Sequence, residues 1–377
     1  MAEAASPTYE NPLRGAYSVR KGEQVLAITD TSCYNLPEAT AWLAENLPAA
    51  GEKKTYLAAL AGLGLNDPEK IFNKLLAIEA LRVKEAHSWK SGLKALVSPK
   101  IRLLPAQVQD KALLFLGIKT SGLNRAMKLL IWPALMGIAW GAWLLAGGGY
   151  KLLPAAAAGH ANGLAILLIT FAASLVHELG HSFAAASSGI GLRPIGFSVY
   201  LIYPVFYTNV SGIDKLGLKE KVLIDTGGFI LQSAFVLLLL GFAAVSGNAS
   251  AAEAVRWIMG IVLFNLNPLF RTDGYWLYKD TYSELKHNRL MRAVHYVYLT
   301  AFMLFSAYFL WFVFIRLGRI WGEAILMLKT PSYFFSGGYR IVLGAYFIFV
   351  GLSGGVRRFQ EGRDEWRELI GLSKSVK

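Results

Sequence analysis

The stretch Gly163-Leu164-Ala165-Ile166-Leu167-Leu168-Ile169-Thr170-Phe171-Ala172-Ala173-Ser174-Leu175-Val176-His177-Glu178-Leu179-Gly180-His181-Ser182-Phe183-Ala184-Ala185-Ala186 is apolar almost throughout, yet it encloses two histidines and a glutamate. A run of roughly 25 residues is long enough for a helix to cross a hydrocarbon layer of roughly 30 Å. His177 and His181 lie four residues apart, which puts both imidazoles on one helix face. That is the geometry a zinc ion needs, and Glu178 stands beside them as a base. Ionisable groups at membrane depth are costly, so their presence there implies a functional site. The expectation from this segment is zinc-assisted hydrolysis inside a membrane.

The rest of the composition supports the membrane setting. The 377 residues are 54% hydrophobic, 13% aromatic and only 17% charged. Mean hydropathy is +0.40. This is too apolar for an ordinary soluble enzyme and fits a polytopic membrane protein with a soluble part. The formal net charge is +13. Its basic residues concentrate in the amino-terminal third, in short loops and at the carboxyl end. Topology and anionic lipid explain that distribution better than nucleic acid, which is not expected as a partner. Cys33 is the single cysteine, which excludes an intramolecular disulfide and a cysteine-based zinc site. The start, Met1-Ala2-Glu3-Ala4-Ala5-Ser6-Pro7, lacks a basic-then-apolar run, so no signal peptide is expected.

Working outward, six apolar spans are expected at roughly 127–147, 163–187, 222–246, 255–278, 293–315 and 339–355. Lys119, Arg125 and Lys128 precede the first span, whereas the linker after it holds only Lys151. The positive-inside rule then places the amino-terminal region, 1–120, in the cytoplasm of a cell with an inner membrane. The same rule puts the ends near Arg193, Lys215, Lys219 and Lys221, and near Lys279, Lys286, Arg289 and Arg292, on that side. The loop 316–340 conflicts with the scheme, since it holds Arg316, Arg319, Lys329 and Arg340 on the outer side. Either it lies in the interface or the span count is off by one. A helical membrane domain over 121–355, with its core at 163–280, and a basic cytoplasmic tail at 356–377 complete the expected organisation.

Residues 1–120 read as a small α+β domain. Tyr17–Arg20 and Gln24–Ile28 flank Lys21-Gly22-Glu23 as a hairpin, and helical patterns follow at Leu36–Leu43, Thr55–Leu63 and Asp67–Ile78. Hairpin, helix and helix pair suggest a winged-helix-like module. In that layout it loosely resembles the peptide-recognition domains of ribosomal-peptide modification systems, such as the peptide chaperone of pyrroloquinoline-quinone synthesis.

Two histidines need a third protein ligand and an open position for water. The expected fourth span supplies Asp273, the only acid between Glu253 and Asp280. Pro268 and Gly274 loosen the helix beside it, so that a carboxylate can turn inward. Loop charges put His177, His181 and Asp273 at matching depth, in the half nearer the cytoplasm.

His177-Glu178-Leu179-Gly180-His181, then Asn265-Leu266-Asn267-Pro268, then Asp273-Gly274, resemble the site-2 protease family of intramembrane zinc metalloproteases. The resemblance covers about 163–280 and includes Pro204-Val205-Phe206-Tyr207-Thr208-Asn209, as in the bacterial peptide zinc metalloprotease branch. Two departures stand out: Asp225-Thr226-Gly227-Gly228 replaces a usual Ala-Gly-Pro, and Tyr275 stands where many relatives have a second glycine. The resemblance implies His177, His181 and Asp273 as zinc ligands and Glu178 as general base. It implies Asn265 as the residue that holds the substrate backbone or the oxyanion. The expected substrate is a peptide or a membrane-spanning protein. Without an obvious PDZ or nucleotide-sensing domain, maturation of a ribosomally made precursor peptide is favoured over proteolysis of a membrane-anchored signalling protein. A third reading is a non-catalytic export-accessory protein. An exporter partner or a homo-oligomer is compatible with any of these.

Other residues have plainer expectations. Asn209 either lines the active site or makes a turn. The stretch 189–212 is either a membrane-edge β-hairpin offering a strand edge to an extended substrate or ordinary loop packing. His87 and His160 read as surface residues, and His287 and His295 as interfacial. Arg271 reaches either the interface or a substrate carboxylate. Trp132, Trp140, Trp143 and Trp311 read as interface anchors.

Overall fold

The computed structural model describes residues 7–21, 24–29, 33–84, 100–119, 122–146, 160–200, 203–213, 216–329, 348, 356–357 and 359–367. The chain divides into two compact units, residues 1–268 with 272–277, and residues 269–271 with 278–377. The amino-terminal region therefore belongs to the same unit as the helical core.

In the amino-terminal region the hairpin at Lys21–Gln24 forms as expected. Strands β2 (Tyr17–Lys21), β3 (Gln24–Ile28) and β4 (Cys33–Pro37) make an antiparallel meander in the order β2-β3-β4. Helices α1 (Glu38–Asn46), α2 (Lys53–Gly62) and α3 (Pro68–Ala77) follow. Asp67 caps α3, its side chain accepting from the Lys70 amide, and Pro68 fills the first helical position, where no amide donor is needed. Leu36, Ala44, Leu47, Tyr56, Leu60, Phe72 and Leu75 close a common core. The module is nevertheless not the winged helix expected. Strands β1 (Thr8–Glu10), β5 (Ala50–Glu52) and β6 (Arg82–Val83) form a second sheet, in the order β5-β1-β6, threaded between the helices. These strands are two or three residues long, too short to show a two-residue alternation in the sequence.

Four helices among the described residues are long and apolar enough to cross a membrane: Leu123–Trp143, Gly163–Ser187, Leu218–Ser246 and Arg289–Ile315. They belong to α5 (Leu123–Leu145), α6 (Gly163–Ser187), α7 (Leu218–Ser246) and α10 (Arg289–Lys329), with α4 (Ala106–Phe115) preceding them. This is a helical membrane protein, but the expectation of six spans is corrected. The stretch 255–278 is not one span. It is α8 (Ala249–Asn265), a break at 266–272, and α9 (Asp273–Leu285). Pro268 offers no amide to a continuing helix, and α8 carries the Glu253–Arg256 ion pair at 2.5 Å. Residues 316–329, expected as loop, continue α10 as helix. The expected span 339–355 lies outside the described residues apart from Ile348.

The hairpin at 189–212 also forms, as β8 (Ile195–Tyr200) and β9 (Tyr203–Thr208). An unexpected strand, β7 (Lys100–Leu104), pairs with β8, so one edge of the hairpin is already covered. Phe171 of α6 meets Phe206 of β9 edge-on at 4.6 Å, which fixes the hairpin against the motif helix. Three turns further along α6, Ser182 donates to Gln109 Oε1 of α4 at 2.6 Å and accepts from the Arg193 amide at 2.8 Å. A buried polar network therefore grips the helix one residue after His181.

Helices α6 and α7 cross at two glycines. A Cβ on Gly180 would fall on the Gly227 carbonyl, and one on Gly227 would strike the Gly180 carbonyl and the Ala184 methyl. Without a hydrophobic force between helices in lipid, small residues that let backbones touch are what hold such a pair. Below the crossing, Ala173, Phe229, Val236, Val255, Ile258 and Met259 pack α6, α7 and α8 into one apolar cluster. Gly227→Val is expected to lower the thermal unfolding temperature in detergent, because the obstacle is backbone and overpacking typically costs about 1–3 kcal/mol. Gly241→Val on the same helix has nothing within 4 Å of the added carbon and is expected to leave that temperature unchanged.

Candidate metal centre

One turn of α6 carries His177, Glu178 and His181, and both imidazoles are buried. The helix delivers them to α7, whose backbone lies close because of the glycine crossing. There His181 Nδ1 donates to the Ile224 carbonyl at 2.7 Å, and His177 Nδ1 meets the Gln232 side-chain oxygen at 2.9 Å. A carbonyl can only accept, so Nδ1 of His181 carries a proton, and in the neutral ring Nε2 then presents a lone pair. The amide oxygen of Gln232 fixes His177 in the same way.

The two Nε2 atoms lie 3.1 Å apart. Asp273 Oδ2 is 2.8 Å from His177 Nε2 and 3.6 Å from His181 Nε2. Three electron-rich atoms facing one another in a buried place repel unless something positive lies between them. In tetrahedral coordination with bonds of about 2.0–2.1 Å, ligand atoms sit roughly 3.3 Å apart, which these separations bracket. The triad His177, His181 and Asp273 can therefore hold a metal ion. Gly228 leaves the space for it, since a Cβ there would lie 2.5 Å from both Nε2 atoms. The donor set of two imidazoles and one carboxylate, with no thiolate, is one found in catalytic zinc sites and in non-haem iron sites.

Asp273 reaches the pair because the chain breaks after α8. Thr272 Oγ1 donates to the Asn267 carbonyl at 3.0 Å and closes the turn. A Cβ on Gly274 would overlap the Leu266 carbonyl, so only glycine lets α9 start against the end of α8. As the first residue of α9, the carboxylate also sits at a helix N-terminus, where negative charge is favoured.

Glu178 is half-buried and its carboxylate accepts from Thr208 Oγ1 of β9 at 2.6 Å. Asn265 ends α8, with its carbonyl beside Gly274. Asn209, expected either to line the active site or to make a turn, makes turn contacts: its oxygen accepts from the Ser211 amide at 3.0 Å, and its side-chain amide donates to the Thr29 carbonyl at 3.2 Å. It ties the hairpin loop to the end of β3. Gln232, Gly228 and Thr208 were not read as site residues from the sequence. The one visible signal was Gln232, an amide placed within an apolar run.

The remaining histidines and Arg271 sort as follows. His160 and His287 are exposed, and His87 lies outside the described residues. His295, expected at the interface, is buried in the second unit, with Nδ1 2.6 Å from the Tyr278 hydroxyl and its ring stacked on Tyr282. Arg271 pairs with both oxygens of Glu361 at 2.9 Å while remaining exposed. Trp132 and Trp311 are exposed, as interface anchors would be.

The purified protein is expected to bind about one zinc per chain, and Asp273→Ala to lose it. Gln232→Leu, which frees His177 to rotate, is expected to weaken zinc roughly 10- to 100-fold in chelator competition. Undiminished metal affinity in both variants would mean that the ion is held elsewhere.

Comparisons with protein-family models, with curated proteins and with solved structures give no match.

Proposed function

We propose that the chain is a zinc-dependent intramembrane endopeptidase. The observation that carries this reading is the convergence of His177 and His181, on a helix long and apolar enough to span a membrane, with Asp273 at the start of α9, beside an intact Glu178. Bound there, zinc supplies Lewis-acid polarisation of a water and of the scissile carbonyl. Glu178 takes the proton of the attacking water and delivers it to the leaving amine. Asn265 donates to the substrate backbone or to the developing oxyanion, an interaction typically worth roughly 10²–10³ in rate. The loop charges support a cytoplasmic amino terminus and a centre on the cytoplasmic side of an inner membrane.

Maturation of a ribosomally made precursor peptide is the favoured role. Its support is a groove of about 610 Å³ between β4 and α3, lined by Leu36, Thr40, Leu43, Ile71, Leu75 and Ile78. The groove runs beside β4, which pairs only with β3 among the described residues. Such a shape suits an extended peptide. Proteolysis of a membrane-anchored signalling protein is the second reading, and it uses the same centre.

The test compares cells carrying the wild-type chain with cells carrying Glu178→Gln, by sequencing peptide termini in the membrane and secreted fractions. Termini present only with the wild type are expected, with zinc content equal in the two proteins. Identical termini would overturn the hydrolase reading and favour a non-catalytic peptide-binding or export-accessory protein that keeps the metal.

A further inference from the structure

We propose that Thr208 and Asn209 are positioning residues through which the amino-terminal module holds Glu178 in its working orientation. This rests on Glu178 acting as the general base.

A glutamate on a helix face has several rotamers, and Glu178 is only half-buried, so packing alone does not select one. Thr208 selects it. Its hydroxyl donates to the Glu178 carboxylate at 2.6 Å, and the same oxygen lies 3.0 Å from the Glu178 backbone carbonyl. The threonine is thus seated on the helix as well as on the side chain. Thr208 ends β9, and that strand is anchored twice. Upstream, Phe206 packs on Phe171 and Phe197. Downstream, Asn209 bonds to Thr29, while its own amide meets the Pro194 carbonyl at 3.4 Å.

Thr29 directly follows β3, the central strand of the amino-terminal meander. Leu26 of the same strand packs on the apolar cluster that contains Met127 and Ile224. The route from module to base therefore runs β3, Thr29, Asn209, Thr208, Glu178, without a gap, and all of it lies in one compact unit. A displacement of β3 moves the Thr29 carbonyl, and with it the residue that orients the base. A module that grips substrate beside β4, which is paired with β3, is thereby able to report its occupancy to the catalytic carboxylate.

The experiment uses the full chain with Thr208→Val, Thr208→Ser and Asn209→Ala. Yield of the Glu178-dependent termini is measured in cells, and zinc content on purified protein. Thr208→Val keeps shape but loses the donor, and a drop of roughly 10- to 100-fold is expected with zinc unchanged. Thr208→Ser restores the donor and is expected to recover most of the yield. A wild-type yield in Thr208→Val, or a loss of zinc alongside the loss of yield, would overturn the proposal. Hydrogen exchange on the purified protein supplies a readout that needs no substrate. Asn209→Ala is expected to speed exchange in both 24–28 and 203–208, and faster exchange confined to 209–211 would also overturn it. If the wild type produces no Glu178-dependent termini, the hydrolase reading fails, while the exchange arm still decides whether the latch exists.

Discussion

The contact between Gly180 and Gly227 is the constraint on which the centre depends. Two helix backbones touch there because neither carries a side chain at the crossing. That approach brings the imidazoles of α6 within reach of the Ile224 carbonyl and of Gln232 on α7. It also brings the α carbon of Gly228 close to both Nε2 atoms, which leaves an ion-sized space in place of a methyl group. With ordinary residues at these positions, the helices would stand farther apart and the histidines would lose their partners.

Polar groups inside an apolar helix bundle are costly unless every one is satisfied, and the centre meets that demand in layers. Each imidazole gives its Nδ1 proton to α7 and so keeps Nε2 free for a shared cation. The carboxylate arrives from a third direction, at the start of α9, because the chain unwinds over 266–272. Broken helices are tolerated at such depth only where the freed backbone groups are re-satisfied within the protein, and the Thr272–Asn267 bond does part of that. The break that removes one expected span is therefore the same feature that brings Asp273 to the two histidines.

The amino-terminal region is joined to this centre more closely than a separate recognition domain would be. Strand β7 extends the hairpin sheet, Gln109 ties α4 to the Arg193 carbonyl at 2.6 Å, and Asn209 ties the hairpin to Thr29. These contacts join segments about 80 to 180 residues apart in the chain. No local periodicity in the sequence announces them, since each is a single polar pair or one strand edge.

The parts legible from the sequence were those with a local cause. An apolar run of roughly 25 residues is a long helix wherever it sits, and i, i+4 spacing puts His177 and His181 on one face of it. The hairpin at 17–28 follows from alternation, and the third ligand from the scarcity of acids in an apolar region. The sequence could not decide how the helices meet. Whether Pro268 kinks a span or ends it, which partners Asn209 takes, and which groups orient the imidazoles and Glu178 all depend on residues distant along the chain. Only the tertiary structure decided those, because a hydrogen bond between elements is set by where two backbones cross, and here that crossing is set by Gly180 and Gly227 together.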